Sequence, residues 1–191
     1  MNRAKAEAEV RATSGTRGPL RRRPARESLS ILAFGATTAL ATGAVLVVRP
    51  LPLLVWNASD SERRGLYRVE PKLLPGVGDM AIAFAPRQAQ SLAASRSYLP
   101  KNVPLVKRVA ASLGDRVCET GTAVTINGQL EAQLEKHDAA GRELPRWTGC
   151  ITLKRGDYFL LGDHRWSFDG RYFGITHSNE IIGKAALMWP R

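Results

Sequence analysis

The chain has 191 residues, of which 44% are apolar and 24% are charged, an ordinary composition for a protein that folds. Its net charge of +11 favours an anionic partner, either nucleic acid or lipid headgroups. Much of that charge is local, because residues 1–26 carry eight Lys/Arg against two Glu and supply +6 of the total. The remainder is only mildly basic, which argues against nucleic-acid binding. If the tail did bind nucleic acid, deleting it would abolish a steeply salt-dependent affinity.

A long uncharged run follows the basic tail. Residues 29–48 include no charge, and twenty residues of helix span about 30 Å, the thickness of a hydrocarbon core. The basic residues before the run favour a cytoplasmic N-terminus by the positive-inside rule. We therefore predict a cytoplasmic tail over 1–27, a single transmembrane anchor over 28–48 and an exported domain over 49–191.

Two other interpretations of the run remain open. Ala39-Leu40-Ala41 has the small residues of a cleavage site, so the segment could be a signal peptide that is removed. The run is also rich in Ala, Thr and Gly rather than Leu, which is compatible with a buried helix.

The exported part is predicted to be mostly β, as a small barrel or as folded sheets. Short runs of β-favouring residues recur between turn signals, and Asn127-Gly128 is typical of a hairpin turn. The predicted strands are 66–69, 80–85, 104–110, 116–119, 123–126, 158–161, 171–173 and 185–189. One helix is predicted, over residues 88–97.

Cys118 and Cys150 are the two cysteines of the chain. An exported domain meets an oxidising environment, so a disulfide between them is expected, with two buried free thiols as the alternative. His137, His164 and His177 are scattered and form no Cys/His cluster at ligand spacing. We therefore predict no metal site and no cofactor.

Ser59 and Ser61 form the first candidate site, shortly after the uncharged run. In an extended segment both side chains would point to one face, because strand side chains alternate. Such a hydroxyl pair can be a nucleophile with a helper. Taken alone, a short patch rich in Ser, Asp and Asn is more often an ordinary polar turn.

Lys107 is the second candidate, because it interrupts an otherwise apolar predicted strand that Gly114-Asp115 follows. A lysine at a strand centre usually faces solvent. In an apolar site, however, burial favours the neutral amine and lowers its pKa. A neutral lysine can take the proton of a serine hydroxyl and so serve as general base.

The third candidate is residues 162–174, which are dense in polar residues and glycines between two apolar strands. Taken alone, this segment is consistent with a surface loop in which Asp169 and Arg171 form an ion pair worth at most about 1 kcal/mol. The three segments in order are more specific than any one of them.

Together, the three segments resemble the type I signal peptidase superfamily of membrane-anchored Ser/Lys proteases. The resemblance rests on three features in order. The first is a serine just outside a membrane anchor, and the second is Lys-Arg-Val, which begins at Lys107 and is followed by Gly-Asp. The third is Gly-Asp-x(5)-Asp-x-Arg-Tyr-x-Gly, which begins at Gly162. The first motif, Asn-x-Ser-x-Ser-x(3)-Gly-Leu-Tyr from Asn57, is closer to conjugal transfer signal peptidases of the TraF type. The similarity covers roughly residues 50–191 and implies a signal-peptidase-like, mostly β domain.

Carried over position by position, the resemblance implies that Ser61 is the nucleophile and Lys107 the general base. It also implies that the Ser59 hydroxyl and the Ser61 backbone N–H stabilise the oxyanion. Three further residues would support the site: Ser167 by orienting the amine, and Asp169 with Arg171 as an ion pair.

Four positions depart from the patterns of these families. Arg63 and Leu113 stand where prolines are usual, and His164 and Gly170 stand in place of the Asn of Gly-Asp-Asn and the Ser of Asp-Ser-Arg. None of these changes removes a group that does covalent chemistry. His164 raises a Ser-His pair as an alternative, which the lysine segment makes the weaker one.

The resemblance implies a serine endopeptidase in the cytoplasmic membrane of a bacterium, with its catalytic domain in the periplasm. In the TraF branch the substrate would be a pilin precursor, and the acyl-enzyme can be resolved by water or by the pilin's own amino terminus, which gives a cyclic product. Ser61 lies twelve residues after Arg49, so a short tether would hold it close to lipid and to membrane-inserted substrates.

Two alternatives to this function remain. A general signal peptidase would remove leaders from many exported proteins. A non-enzymatic, membrane-anchored component of a secretion channel would use the β domain for interactions, and it predicts that Ser61→Ala leaves function intact.

Overall fold

The computed structural model describes residues 30–31, 33–40, 43 and 51–191, and the chain divides into two compact units, Met1–Pro50 and Leu51–Arg191. The predicted tail and part of the predicted anchor lie outside the described residues. Those described between 30 and 43 are helical. Within the described parts of the chain, no helix is long and apolar enough to cross a membrane, so the anchor stays a prediction.

The described residues contain eleven strands, which form two antiparallel sheets. In chain order they are β1 (Leu54–Asn57), β2 (Gly65–Pro71), β3 (Met80–Ala83), β4 (Leu105–Ala111), β5 (Arg116–Glu119), β6 (Ala123–Ile126), β7 (Gln129–Gln133), β8 (Gly149–Thr152), β9 (Asp157–Leu161), β10 (Thr176–His177) and β11 (Ile181–Pro190). The larger sheet has the order β1-β2-β11-β3-β4-β9-β10, and the smaller has β7-β6-β5-β8. The predicted mostly β fold is confirmed, as folded sheets.

The middle of the larger sheet is buried on both faces. Most residues of β3, β4 and β9 are buried, and the strands are mainly apolar without a polar face. Lys107 is the third residue of β4 and pairs in register with Ala81 of β3. Its side chain therefore starts in the interior of the sheet.

The two sheets pack on each other through one apolar cluster. Ala111 of β4 and Phe159 of β9 belong to it, together with Val117 and Ile126 of the smaller sheet. Burial of these side chains provides most of the free energy that holds the sheets together. The cluster fixes β4 and β9, the strands that flank the residues predicted for the site.

The helices within residues 51–191 are short. They are α1 (Arg87–Ser95), α2 (Gly170–Phe173) and a 3₁₀ turn at Ser178–Glu180. Helix α1 confirms the predicted helix with slightly shifted ends. The strand predicted over 171–173 is wrong, because the Asp169 side chain accepts the backbone N–H of Arg171 and caps a helical turn there.

The other predicted strands overlap observed ones, and Asn127-Gly128 forms the predicted hairpin between β6 and β7. Strands β1, β7, β8 and β10 were not predicted. β7 is mostly polar and exposed, β8 begins with a glycine, and β10 has two residues. Short strands of this kind form by pairing with a neighbour and leave little pattern in the sequence.

Cys118 of β5 and Cys150 of β8 are paired in register and form a disulfide. The structure thus contains the predicted pairing rather than two free thiols. The bond lies in the smaller sheet, away from the residues predicted for the site.

Candidate active site

Residues 58–64 form the loop between β1 and β2 and carry both candidate serines. The buried side chain of Asn57, at the end of β1, organises this loop. Its Nδ2 donates to the backbone oxygens of Ser59, Glu62 and Arg63 at 3.1–3.2 Å. Its Oδ1 accepts the Ser59 N–H at 3.2 Å. One amide side chain therefore fixes the course of the whole loop relative to the sheet.

The two serine hydroxyls are in contact, but in a turn rather than in the extended segment considered from the sequence. Ser59 Oγ lies 2.9 Å from Ser61 Oγ and donates to Asn57 Oδ1, also at 2.9 Å. A serine hydroxyl has one proton, and that of Ser59 points to Asn57. Ser61 is therefore the donor in the bond between the serines.

Lys107 is buried in the centre of β4, with 2% of its surface exposed. Its Nζ donates a hydrogen bond to Ser167 Oγ at 2.9 Å. Burial lowers the pKa of the Lys107 amine from its ordinary value, and the carboxylates of Asp169 and Glu62 act in the opposite direction. A lysine with a lowered pKa has the property that a general base requires.

Gly162 joins the serine loop to the lysine. A Cβ at this position would overlap Ser167 Oγ and would lie 2.8 Å from the backbone oxygen of Ser61. A side chain therefore does not fit there unless the backbone moves. Through Gly162, the Ser61 backbone and the hydrogen bond between Ser167 and Lys107 form one packed site.

Asp169 and Arg171 form a buried ion pair at 2.8 Å, not the surface pair expected of an isolated loop. Asp169 Oδ2 accepts the Gly162 N–H at 2.8 Å. Arg171 Nη2 donates to the Gly162 oxygen at 2.7 Å, and Nη1 donates to the Arg165 oxygen at 3.2 Å. The pair thus ties both ends of the loop that carries Ser167 to helix α2.

Ser61 and Lys107 line the same pocket, which has a volume of about 400 Å³. Its walls are mostly apolar and include Ala93, Leu99, Val103, Leu105, Trp166 and Phe168. Among the described residues, no direct hydrogen bond joins Ser61 Oγ to Lys107 Nζ. Hydrogen bonds between catalytic groups often tighten only when substrate binds.

His164 does not form the alternative Ser-His pair. Its Nδ1 accepts the backbone N–H of Trp166 at 3.2 Å, and the backbone N–H of His164 donates to the backbone oxygen of Ser61 at 3.5 Å. The imidazole is therefore engaged within its own loop, and Lys107 is the better candidate for the base.

Two residues of the site had no predicted role. Asn57 leaves a local signal, because an Asn two residues before a serine favours an Asx turn. Glu62 follows Ser61 directly and is 6% exposed. A lone glutamate in a polar segment predicts a solvated side chain. No sequence pattern indicates its burial, which arises from the way the loop folds back on the sheet.

The sequence is similar to known proteins over most of its length. The family model described as signal peptidase, peptidase S26, matches residues 26–190. The plasmid transfer protein TraF of Escherichia coli is 31% identical over 165 residues, which cover 78% of this chain and 85% of that protein. The conjugal transfer protein TraF of Agrobacterium fabrum is 31% identical over 139 residues, 68% of this chain and 78% of that protein.

Signal peptidase I of Bacillus caldolyticus is 30% identical over 102 residues, 47% of this chain and 56% of that protein. The family match includes the serine loop, β4 and the segment that carries Ser167. The chain therefore belongs to the signal peptidase family, peptidase S26, and is a serine peptidase.

Proposed function

We propose that this chain is a membrane-anchored endopeptidase that processes a pilin precursor for conjugative DNA transfer, with Ser61 as nucleophile and Lys107 as general base. The observation that carries the assignment is the buried Lys107 amine, held by Ser167 in the pocket that Ser61 also lines. The substrate is inferred from two relatives named for plasmid and conjugal transfer, each 31% identical.

In the acylation step, the neutral Lys107 amine takes the proton of Ser61 Oγ while that oxygen attacks the scissile carbonyl carbon. The Ser59 hydroxyl and the Ser61 N–H donate to the oxyanion, and Ser59 turns its proton away from Asn57 to do so. The Lys107 ammonium then protonates the leaving amine as the C–N bond breaks. An ester on Ser61 remains.

The acyl group on Ser61 can be transferred either to water or to an amine. If Lys107 deprotonates a water molecule, hydrolysis gives a linear product. If the amino terminus of the same pilin attacks, the new peptide bond closes a ring and no water is consumed. Both routes use Ser61, Lys107 and the same oxyanion donors.

The pocket fits an extended peptide with apolar side chains. Its lining includes α1, the segment after it and residues 164–172, and its walls are mostly apolar. The polar side chains that reach it are those of the proposed chemistry together with others that include Asp60, Gln90, Asp138 and His164. Pockets with apolar walls and a few converging polar groups are usual at sites that bind and orient a substrate. This lining supports a segment of a membrane-inserted precursor as substrate.

An exposed apolar row on the larger sheet supports contact with membrane lipid. Trp56, Leu66 and Trp189 are paired in register across β1, β2 and β11, and both tryptophans are more than half exposed. Tryptophan prefers the membrane–water interface. The row lies where β1 enters the serine loop, so lipid there would place Ser61 near a membrane-inserted substrate.

The proposed location is the periplasmic side of the cytoplasmic membrane. The anchor predicted from the sequence would hold the domain there, and the disulfide is compatible with the oxidising periplasm. A general signal peptidase is the second candidate, because signal peptidase I of Bacillus caldolyticus is 30% identical over 102 residues.

The test is complementation of pilus production with Ser61→Ala, Lys107→Ala and Ser59→Ala, followed by mass spectrometry of the pilin. We expect the first two variants to leave only the precursor and Ser59→Ala to slow processing by about 10²-fold. A wild-type product one water lighter than the linear peptide would show cyclisation. Mature pilin from either of the first two variants would refute the catalytic pair. Export leaders that accumulate in place of pilin precursor would favour the general signal peptidase.

A further inference from the structure

Glu62 is a buried carboxyl group beside the nucleophile that the proposed chemistry does not use. It directly follows Ser61, 6% of its surface is exposed, and its Oε1 has no hydrogen-bond partner. In the described part of the chain it also forms no ion pair. Burying a carboxylate that has no cationic partner and one oxygen without a hydrogen bond costs free energy, so its presence beside the proposed nucleophile needs a physical reason.

Four charged side chains act on the Lys107 amine: Asp169, Glu62, Arg171 and Asp163. Asp169 acts most strongly, and Arg171, paired with it at 2.8 Å, offsets part of its attraction for the amine. Asp163 is 72% exposed and lies 3.8 Å from Arg108, so water and a cation screen it. Of the four, Glu62 alone is both buried and without a cationic partner.

We propose that Glu62 is a positioning residue that acts through Lys107, the general base. Its carboxylate lies buried next to Ser61 and attracts the protonated Lys107 amine. The amine therefore keeps its proton up to a higher pH. The inference rests on the proposed role of Lys107. It adds a residue that sets the pH range of the peptidase without contacting substrate.

Several groups surround Glu62. Burial raises the pKa of Glu62 to about 7, and the Asp163 carboxylate acts in the same direction. Lys107 opposes the shift, as do the backbone N–H groups of Asp163 and Arg108. Arg108 follows Lys107 on β4, so the carboxyl group lies against the strand that carries the base. The other charged or titratable groups around it are Tyr67, Asp60, Arg63, Arg64, His164 and Arg191.

The negative charge of Glu62 determines in which direction the pH profile of the peptidase shifts. Lys107 must lose its proton to act, so kcat/KM falls on the acid side as the amine becomes protonated. An ionised Glu62 stabilises the protonated amine and moves this acid limb to higher pH. Because the two groups interact, the limb reports the pair rather than either residue alone.

The test is the pH profile of kcat/KM for full-length wild type and Glu62→Gln, on a peptide that spans the processed site of the pilin precursor. Glutamine keeps the shape and removes the charge, so we expect the acid limb to move about 1 unit lower. One pH unit below the wild-type midpoint, the variant would then be about fivefold more active relative to its plateau. Glu62→Asp, which keeps the charge, should stay near the wild-type midpoint.

Glu119→Gln is the matched control. Glu119 is as buried as Glu62 and also has an oxygen without a partner, but it lies on β5 of the smaller sheet. We expect it to leave the acid limb in place. A Glu62→Gln profile whose midpoint coincides with wild type, or a loss by one factor at every pH, would overturn the inference.

Ser61→Ala and Lys107→Ala, measured on the same peptide, separate the two proposals. If either retains activity, the catalytic pair is wrong. If both are inactive and Glu62→Gln leaves the midpoint unmoved, the pair stands and only the role of Glu62 fails. Thermal unfolding of each variant shows whether an inactive protein is folded.

Discussion

At Lys107, the stability of the fold and the proposed chemistry make opposite requirements of one side chain. The fold loses stability by burying an amine that is protonated in the unfolded chain at neutral pH, and the proposed chemistry needs that amine neutral. Ser167 satisfies one of its hydrogen bonds, at 2.9 Å, but no carboxylate pairs with it directly among the described residues. Such a conflict between stability and function is typical of catalytic groups.

Replacing this lysine should therefore stabilise the protein. Burial lowers the pKa of the Lys107 amine, so the unfolded chain binds more protons than the folded one below the unfolded pKa. We expect Lys107→Met to raise Tm by about 2–6 °C at neutral pH. The gain should shrink as the pH rises towards the unfolded pKa of about 10.4.

Thermal unfolding at several pH values measures this effect, with Lys101→Met as the control, because Lys101 is exposed. A Tm that falls in Lys107→Met, or a gain that does not change with pH, would contradict the burial of a titrating amine.

The sequence identified candidate residues for the site but not their surroundings. Ser61, Lys107 and Ser167 were predicted from the resemblance of three motifs to a known family, and all three line one pocket. Glu62 was not predicted, because its burial depends on the turn that Asn57 builds and not on any local pattern. A resemblance to a family carries over which side chains are present, whereas their electrostatic environment arises from tertiary packing.

At the scale of elements, the helical turn α2 positions one wall of the site. Asp169, the residue before α2, caps this helical turn and accepts the backbone N–H of Gly162. At Gly170 the chain passes close to β9. A Cβ on Gly170 would lie 2.7 Å from the Leu160 oxygen and 3.1 Å from the Phe159 ring. A side chain at position 170 therefore does not fit unless the backbone or the Phe159 ring moves.

Gly170→Ala should push α2 away from β9. We expect the free energy of unfolding to fall by about 1–3 kcal/mol, which is typical of overpacking, and kcat/KM to fall with it because Asp169 and Arg171 move. Urea unfolding measures the first effect. Gly76→Ala is the control, because a Cβ there would contact only the Asp79 carboxylate, at an ordinary 3.7 Å. Equal stability of the two variants would show that the backbone can adjust at 170.

The strands and helical turns also differ in how well the sequence predicts them. Strands with strong apolar runs, such as β4 and β9, were predicted because burial on both faces imposes such runs. The turn at 170–173 was mistaken for a strand because Arg-Tyr-Phe favours β structure. The Asp169 cap outweighed that preference.

At the scale of the whole molecule, the disulfide stabilises the smaller sheet at a distance from the chemistry. Cys118 and Cys150 are separated by 32 residues. Removing the link with the double replacement Cys118→Ser and Cys150→Ser should lower the free energy of unfolding by about 2–4 kcal/mol. We expect kcat/KM to stay near wild type below the melting transition. Loss of activity without unfolding would show that the smaller sheet contributes to the site.

The apolar row on the larger sheet makes a second prediction at this scale. Trp56→Ala combined with Trp189→Ala should reduce processing of a precursor in vesicles, because the row then loses its affinity for the interface. Cleavage of a soluble peptide should stay the same. Leu113→Ala with Leu130→Ala removes equally exposed apolar side chains elsewhere and serves as the control. Equal effects of the two pairs would exclude a specific membrane contact.

The central claim is that Ser61 forms a covalent intermediate with Lys107 as its base. The most direct measurement is peptide mapping by mass spectrometry after wild-type enzyme is quenched in acid during turnover of the precursor. We predict a substrate-derived acyl group on Ser61, present in wild type and absent in Lys107→Ala. An acyl group on another residue, or one that forms equally fast without Lys107, would contradict the account.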